Sequence, residues 1–219
     1  MPLYSGELFT CPNCEAIFQS KIAQSYDTFG NYYSDLYKAS AEDPQPVLHL
    51  INICPKCGFA AFTQDFKVFD LDLKDVRKAI NDIEKITGKP ANEFNAGDGY
   101  LVITEYLSTI SIEQRAFIMM QASYAYRILS DKNLAKAREM TLKTIEQILA
   151  TKMFMTTSED MYLYLAGELN RLLGKEDESL KYFKQALEKA DKNSIVSRLT
   201  EHQLKTPLEI VPKELYTKK

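Results

Sequence analysis

The sequence has few of the residues from which most enzyme active sites are built. Only two histidines, His49 and His202, occur in the 219 residues, and they stand far apart. The sequence contains no G-x-S-x-G motif, no P-loop and no G-x-G-x-x-G motif, so neither a hydrolase nucleophile nor a phosphate-binding loop is indicated. Because no nucleophile–base pair is visible, we expect a protein that is not an enzyme.

Long apolar runs are also missing. No stretch approaches the roughly 20 apolar residues that cross a bilayer, and the first residues lack the basic and apolar regions of a secretory signal. Hydrophobic residues make up 45% and charged residues 26%, as in ordinary globular proteins. We therefore expect a cytoplasmic protein, and in a reducing cytosol paired cysteines are more often metal ligands than disulfides.

Positive charge is scarce in the first third of the chain. Residues 1–72 contain 4 Lys and Arg against 9 Asp and Glu, whereas residues 73–219 contain 23 against 21. Nucleic-acid binding depends on clustered positive charge, so this distribution disfavours it. A nucleic-acid-binding zinc ribbon stays open as an alternative.

All four cysteines of the chain fall in two C-P-x-C sequences, Cys11-Pro-Asn-Cys14 and Cys54-Pro-Lys-Cys57. Two intervening residues let the backbone curl until both sulfurs face one point about 3.5–4 Å apart, as tetrahedral coordination requires. Proline fixes the turn, and Gly58 can adopt the left-handed conformation that turns the chain back into a strand. The pattern predicts that Cys11, Cys14, Cys54 and Cys57 bind one metal ion.

The identity of that metal is less constrained by the sequence. Four thiolates close the coordination shell, so a structural Zn²⁺ is the first expectation, and iron in a rubredoxin-like electron-transfer site is the alternative. Glu15 follows the first pair, where a glycine commonly accepts the tight turn, and this disfavours the rubredoxin-like site. The run 47–53 predicts a strand that enters the second pair, and His49 lies in it. His49 is either a neighbour of the metal site or a half-exposed residue of that strand.

The 39 residues between the two pairs include a polar, tyrosine-rich insert at 26–46. Tyr32, Tyr33 and Tyr37 are equally compatible with a recognition surface and with a cover over a small zinc core.

The remainder of the chain predicts about seven helices and shows no strand pattern. Phe59, Phe62, Phe66 and Phe69 follow helical spacing and suggest an interdomain core. Caps and stops then divide the helices, with Asp72, Asp98, Ser111 and Ser158 as predicted N-caps. The expected ranges are 73–87, 100–110, 112–129, 132–150, 159–173, 176–190 and 195–204.

Residues 160–191 fit a tetratricopeptide helix pair, since Ala166, Gly167, Ser179 and Ala186 would let two helices approach closely while Phe183 fills the gap. In that alignment, a concave face that contacts a peptide is lined by Met161, Tyr164, Glu168 and Arg171. A plain helical bundle with an exposed Glu168–Arg171 pair explains the same sequence.

Three stretches, at 10–14, 54–62 and 167–174, bracket most of the chain. In these stretches, and in their order, the chain resembles an uncharacterised prokaryotic family of the domain-of-unknown-function 2225 type. The resemblance implies an N-terminal pair of metal knuckles followed by tetratricopeptide-like helices, and it implies no reaction.

We therefore predict an α+β protein with a zinc-ribbon or rubredoxin-like β module at 1–70 and an all-α tetratricopeptide-like domain at 71–219. Its predicted role is that of a zinc-binding adaptor for a protein or peptide partner, or for a second copy of itself.

Overall fold

The computed structural model describes residues 3–67, 72–107 and 109–217. These residues form five strands in the N-terminal part and mainly helices in the remainder, so the predicted α+β class is confirmed. The strands are β1 (Leu3–Thr10), β2 (Ile17–Ser25), β3 (Tyr32–Tyr33), β4 (Ile51–Ile53), β5 (Ala60–Phe62) and β6 (Ile210–Val211). The α-helices are α1 (Thr63–Phe66), α2 (Leu73–Thr87), α3 (Ala96–Tyr106), α4 (Ile112–Ile128), α5 (Leu134–Thr151), α6 (Glu159–Leu172), α7 (Glu176–Lys189) and α8 (Ile195–Lys205).

The chain divides into two compact units. The first comprises Met1–Asp27 and Glu42–Ala137, and the second comprises Thr28–Ala41 and Arg138–Lys219. The expected boundary between residues 70 and 71 lies inside the first unit, and α5 begins in the first unit and continues in the second. Within the described ranges, no helix combines the length and the apolar character that a membrane span requires.

The first unit contains two antiparallel strand pairs, the four helices α1–α4 and a cluster of aromatic side chains. β1 pairs with β2 and β4 pairs with β5. The Phe66 ring contacts the rings of Phe9, Phe18 and Phe59 at centroid distances of 5.3, 5.6 and 4.9 Å. Of the predicted phenylalanine strip, Phe69 lies outside the described residues. Phe59 precedes β5, Phe62 ends β5 and Phe66 ends α1, so the strip is not one continuous helix.

Capping side chains set where the helices of the first unit begin. The Asp72 side chain accepts a hydrogen bond from the Lys74 N–H, and Gly88 ends α2 with a φ of 68°, both as predicted. α3 begins earlier than predicted, because Asn95 rather than Asp98 is its N-cap; Asp98 instead occupies the third position of a capping box. The predicted capping box of Ser111 and Gln114 is present at the start of α4.

An ion-pair network holds the start of α3 against the end of α4. The Lys89 ammonium lies 2.9 Å from Asp98 and 2.5 Å from Asp131. The Tyr126 hydroxyl donates to the other Asp98 oxygen at 2.7 Å, and the Asn95 amide donates to Asp131 at 2.7 Å. Asp98 is fully buried, and each of its carboxylate oxygens has a donor, as a buried charge requires.

In the second unit, α6 packs closely against α7 through the small residues that the sequence indicated. A Cβ on Gly167 would lie only 2.6 Å from Cδ1 of Phe183. Ala166, Ser179 and Ala186 are buried beside this contact. Because side chains larger than these would hold the helices apart, the small residues account for the close approach.

The central part of the tyrosine-rich insert, Thr28–Ala41, belongs to the second unit. Its strand β3 pairs antiparallel with β6, so the prediction that no strand follows the metal-binding region is wrong at Ile210–Val211. The Tyr32 and Tyr216 rings are 4.9 Å apart, and the Tyr216 hydroxyl donates to the Tyr33 carbonyl. The insert therefore packs against the C-terminal residues of the second unit. The sequence analysis interpreted its tyrosines as a recognition surface or as a cover over the zinc core, and neither interpretation described this packing.

Candidate metal centre

The two C-P-x-C sequences form turns with the same pattern of backbone hydrogen bonds. In the first, the N–H of Glu15 donates to the Cys11 carbonyl and the N–H of Cys11 donates to the Ala16 carbonyl, both at 2.9 Å. In the second, Gly58 donates to Cys54 at 2.9 Å and Cys54 donates to Phe59 at 2.8 Å. These shared bonds define two equivalent metal-binding knuckles.

A left-handed residue completes each knuckle. Gly58 has a φ of 71°, as the sequence predicted, and Glu15 adopts nearly the same conformation with a φ of 60°. The two positions differ in their surroundings: a Cβ on Gly58 would lie 2.9 Å from both Ala91 and Phe94, whereas Glu15 is exposed. Space rather than backbone angle therefore explains why only the second knuckle needs glycine.

The knuckles bring all four cysteine sulfurs together. The Cys11 and Cys57 sulfurs are 3.6 Å apart, as are those of Cys14 and Cys54, and all four lie within 4.8 Å of one another. Zinc–sulfur bonds of about 2.3 Å place tetrahedral ligands about 3.8 Å apart, so the donor set fits one four-coordinate metal ion. The four cysteines can therefore hold one metal ion, and within the described residues no other cluster of His, Cys, Asp and Glu side chains brings three or more ligand atoms together in this way.

The thiols of the site are electrostatically unequal. The hydrogen bond shared with Cys57 raises the pKa of Cys11, and the same bond lowers the pKa of Cys57 to about 5. Burial raises the pKa of Cys54. Thiols lose their protons when they bind a metal ion, so metal binding by these four cysteines depends on pH.

Two residues that the sequence analysis did not single out lie beside this site. The Asn13 amide nitrogen is 3.4 Å from the Cys57 sulfur, and the Arg77 Nε donates to the Asn13 side-chain oxygen at 3.0 Å. Arg77 is on α2, 64 positions from Asn13, and no spacing in the sequence indicates that they meet.

His49 is not among the group of possible ligands. It ends a 3-10 helix at Pro46–Leu48, and β4 begins only at Ile51, so the predicted strand over 47–53 is wrong in its first half. The proline that opens this helix favours the helical turn over an extended start. Burial lowers the pKa of His49.

The residues predicted to line a peptide-binding face occupy different environments. Tyr164 and Glu168 are fully buried, and Met161 and Arg171 are half-buried. The Tyr164 hydroxyl donates to the Ser34 carbonyl at 2.7 Å, and the Ser34 hydroxyl donates to Glu168 at 2.5 Å. The chain's own insert thus lies on two of the four predicted positions. In this arrangement the four residues do not form an open groove.

The Glu168 carboxylate is held by charge as well as by Ser34. Arg171 donates to its two oxygens at 2.9 and 2.7 Å, which is the predicted Glu168–Arg171 pair, although the glutamate is buried rather than exposed. Burial raises the pKa of Glu168, and the Arg171 and Ser34 donors oppose that shift.

Comparison with protein families adds one result to this geometry. An uncharacterized protein family conserved in bacteria, DUF2225, matches residues 4–206. The chain belongs to this family. The match spans both knuckles and the eight α-helices α1–α8, as the resemblance of the three sequence stretches indicated. No curated protein and no solved structure matches the chain.

Proposed function

We propose that the protein is a zinc-stabilised, non-enzymatic adaptor of the cytoplasm. The observation that supports this most is the cluster of four cysteine sulfurs within 4.8 Å of one another. Four thiolates fill a tetrahedral shell, so a zinc ion held by them has no position for a water or substrate and acts by stabilising the fold. Metal bonds of this kind contribute directly to the free energy of folding, because the unfolded chain does not hold a preformed site.

Native metal content tests the first part of this proposal. The protein is purified from its own host under reducing conditions, and zinc and iron are measured by elemental analysis together with the visible spectrum. We expect one zinc per chain and no colour, and Cys54→Ser should lower the content below one. One iron per chain with a visible thiolate band would replace this proposal with an electron-transfer protein.

The adaptor part of the proposal is that a partner binds to the helices. Of the four residues first predicted to contact a partner, only Met161 and Arg171 have exposed surface, because Ser34 and its neighbours cover Tyr164 and Glu168. A peptide or protein partner would therefore contact the edge that Met161 and Arg171 form at the two ends of α6. The acidic character of residues 1–72 favours such a partner over a nucleic acid.

Affinity purification from the native host tests this edge. Met161→Ala and Arg171→Lys are compared with Lys184→Ala, an exposed position on α7, and only variants that melt as the wild type does are used. We expect a reproducible partner that is lost with the first two variants and retained with the third. Retention of every co-purifying protein by all three variants would reject this edge, and light scattering shows whether the partner is a second copy of the chain.

A further inference from the structure

One side chain links the two knuckles directly. Asn13 occupies the x position of the first C-P-x-C sequence. Its amide nitrogen lies 3.4 Å from the sulfur of Cys57 in the second knuckle. The corresponding residue of the second knuckle, Lys56, is exposed. The two halves of the site are therefore joined by a contact that the repeated C-P-x-C pattern does not require.

Arg77 determines which way the Asn13 amide faces. A guanidinium group only donates hydrogen bonds, so the atom of Asn13 that lies 3.0 Å from the Arg77 Nε must be the oxygen. The amide nitrogen then necessarily faces the Cys57 sulfur. The backbone position of Arg77 is itself fixed, because Val76, Ala79 and Ile80 of the same helix are buried in the first unit.

The contacted sulfur is one of the two that solvent reaches. Cys11 and Cys54 are buried, whereas Cys14 and Cys57 are half-buried. An accessible thiolate is the ligand that a competing chelator contacts first. An N–H donor to that sulfur disperses part of its negative charge.

From this geometry we propose that Asn13 and Arg77 are positioning residues of the metal centre, which hold the Cys57 sulfur in place and slow release of the metal. The inference rests on the proposed metal site and goes beyond it, because neither residue is a ligand. It gives the two residues a shared role, in which Arg77 acts only through Asn13.

Metal release from the intact, zinc-loaded protein tests this role. The rate of zinc transfer to a chromophoric chelator is measured for Asn13→Asp, which keeps the shape of the side chain but replaces the donor with a negative charge. It is also measured for Asn13→Ala, which removes the donor without adding charge, and for Arg77→Gln. Outer ligand contacts typically change metal affinity by about 10- to 100-fold, so we expect release about 10-fold faster in Asn13→Asp and a smaller acceleration in Arg77→Gln. The double variant Asn13→Ala with Arg77→Gln should release zinc no faster than Asn13→Ala alone.

Two matched controls separate this effect from general damage to the knuckles. Lys56→Ala alters the corresponding residue of the other knuckle, and Lys78→Gln removes a neighbouring exposed charge from the same helix. Both should release zinc at the wild-type rate. If Asn13→Asp releases zinc at the rate of the controls, the proposal is overturned. It is also overturned if Asn13→Asp, Arg77→Gln and the two controls all release zinc equally faster than the wild type.

The cobalt-substituted protein supplies a readout that does not depend on folding stability. Loss of the N–H donor should move the thiolate-to-cobalt charge-transfer band in Asn13→Asp and Asn13→Ala, and leave it unchanged in Lys56→Ala. An unchanged band in the Asn13 variants would contradict the contact with Cys57. If the wild type binds no metal at one per chain, the proposed metal centre itself fails, which elemental analysis detects before any variant is compared.

Discussion

The hydroxyl of Ser34 donates a hydrogen bond to the carboxylate of Glu168 at 2.5 Å, although 134 positions separate the two residues. Both side chains are fully buried in the second unit. Glu168 also accepts from Arg171, and its neighbour Tyr164 donates to the Ser34 carbonyl. The insert between the metal knuckles is thus bound to the helix pair by polar contacts at the face that the sequence assigned to a partner.

Ser34→Ala should destabilise the second unit. Removing the hydroxyl leaves a buried carboxylate with one donor fewer, and loss of a hydrogen bond to a charged group costs about 1.5–3 kcal/mol. We expect a lower urea midpoint by circular dichroism. Ser25→Ala, which removes a serine hydroxyl at the exposed end of β2, is the control and should unfold as the wild type does. Equal midpoints for the two variants would contradict the energetic role of this bond.

The helix pair and its cover differ in how far the sequence predicts them. Helical periodicity and small residues indicated that α6 and α7 meet at Gly167 and Phe183, and they do. Periodicity shows which face of a helix is buried, but not which distant segment buries it. For this reason the sequence placed Tyr164 in an open groove, whereas Ser34 covers it.

The metal ligands and their neighbours show the same contrast. Cys11 and Cys57 were predicted because each belongs to a short motif whose spacing reflects coordination geometry. Asn13 and Arg77 come into contact only through the packing of α2 in the first unit, so no local sequence pattern predicts their contact. Contacts encoded over a few residues are readable from one sequence, and contacts created by tertiary packing are not.

Gly167→Ala should also destabilise the helix pair. The added Cβ would lie 2.6 Å from Phe183, whose ring is buried and has no solvent into which it can move. Overpacking of this kind costs about 1–3 kcal/mol, which urea unfolding measures. Phe183→Leu makes room for the new methyl group, so the double variant should lose less stability than the sum of the two single variants. Simple additivity would show that the clash is relieved elsewhere.

The ion pairs of Lys89 predict a pH dependence in the first unit. Burial alone would raise the pKa of Asp131, but the Lys89 ammonium and the Asn133 N–H lower it below the ordinary 3.8. A lowered folded-state pKa contributes stability that is present above pH 3.8 and is lost as the pH falls through the folded-state value. Asp131→Asn should therefore be less stable than the wild type at pH 7, and should lose less stability on acidification.

Urea midpoints measured across the acidic range test this difference. The matched control is Asp191→Asn, which removes a carboxylate at an exposed position of the second unit. Its stability should follow the wild type at each pH. If Asp131→Asn keeps the full acid sensitivity of the wild type, the Lys89–Asp131 pair does not contribute to it.

Metal removal should affect the whole first unit and not only residues 1–70. The second knuckle leads into β5, where the Ala60 carbonyl accepts a hydrogen bond from the Tyr106 hydroxyl of α3 at 2.8 Å. Phe59, next to the knuckle, is buried against Phe66 and Tyr106. Under reducing conditions with a chelator, hydrogen exchange should therefore accelerate in β4, β5 and α3, while α7 keeps its protection. Unchanged exchange in α3 would confine the effect of the metal to the knuckles.

The two left-handed positions of the knuckles predict opposite responses to exchange of their residues. Glu15 is exposed and has a φ of 60°, a left-handed conformation that costs a residue with a Cβ about 1 kcal/mol. Glu15→Gly removes this cost, so the variant should unfold at a higher urea concentration than the wild type. Gly58→Glu adds the same strain and places a side chain where Ala91 and Phe94 leave only 2.9 Å, so it should unfold at much lower urea and lose metal. A Gly58→Glu variant as stable as the wild type would show that the second knuckle is not packed against residues 91–94.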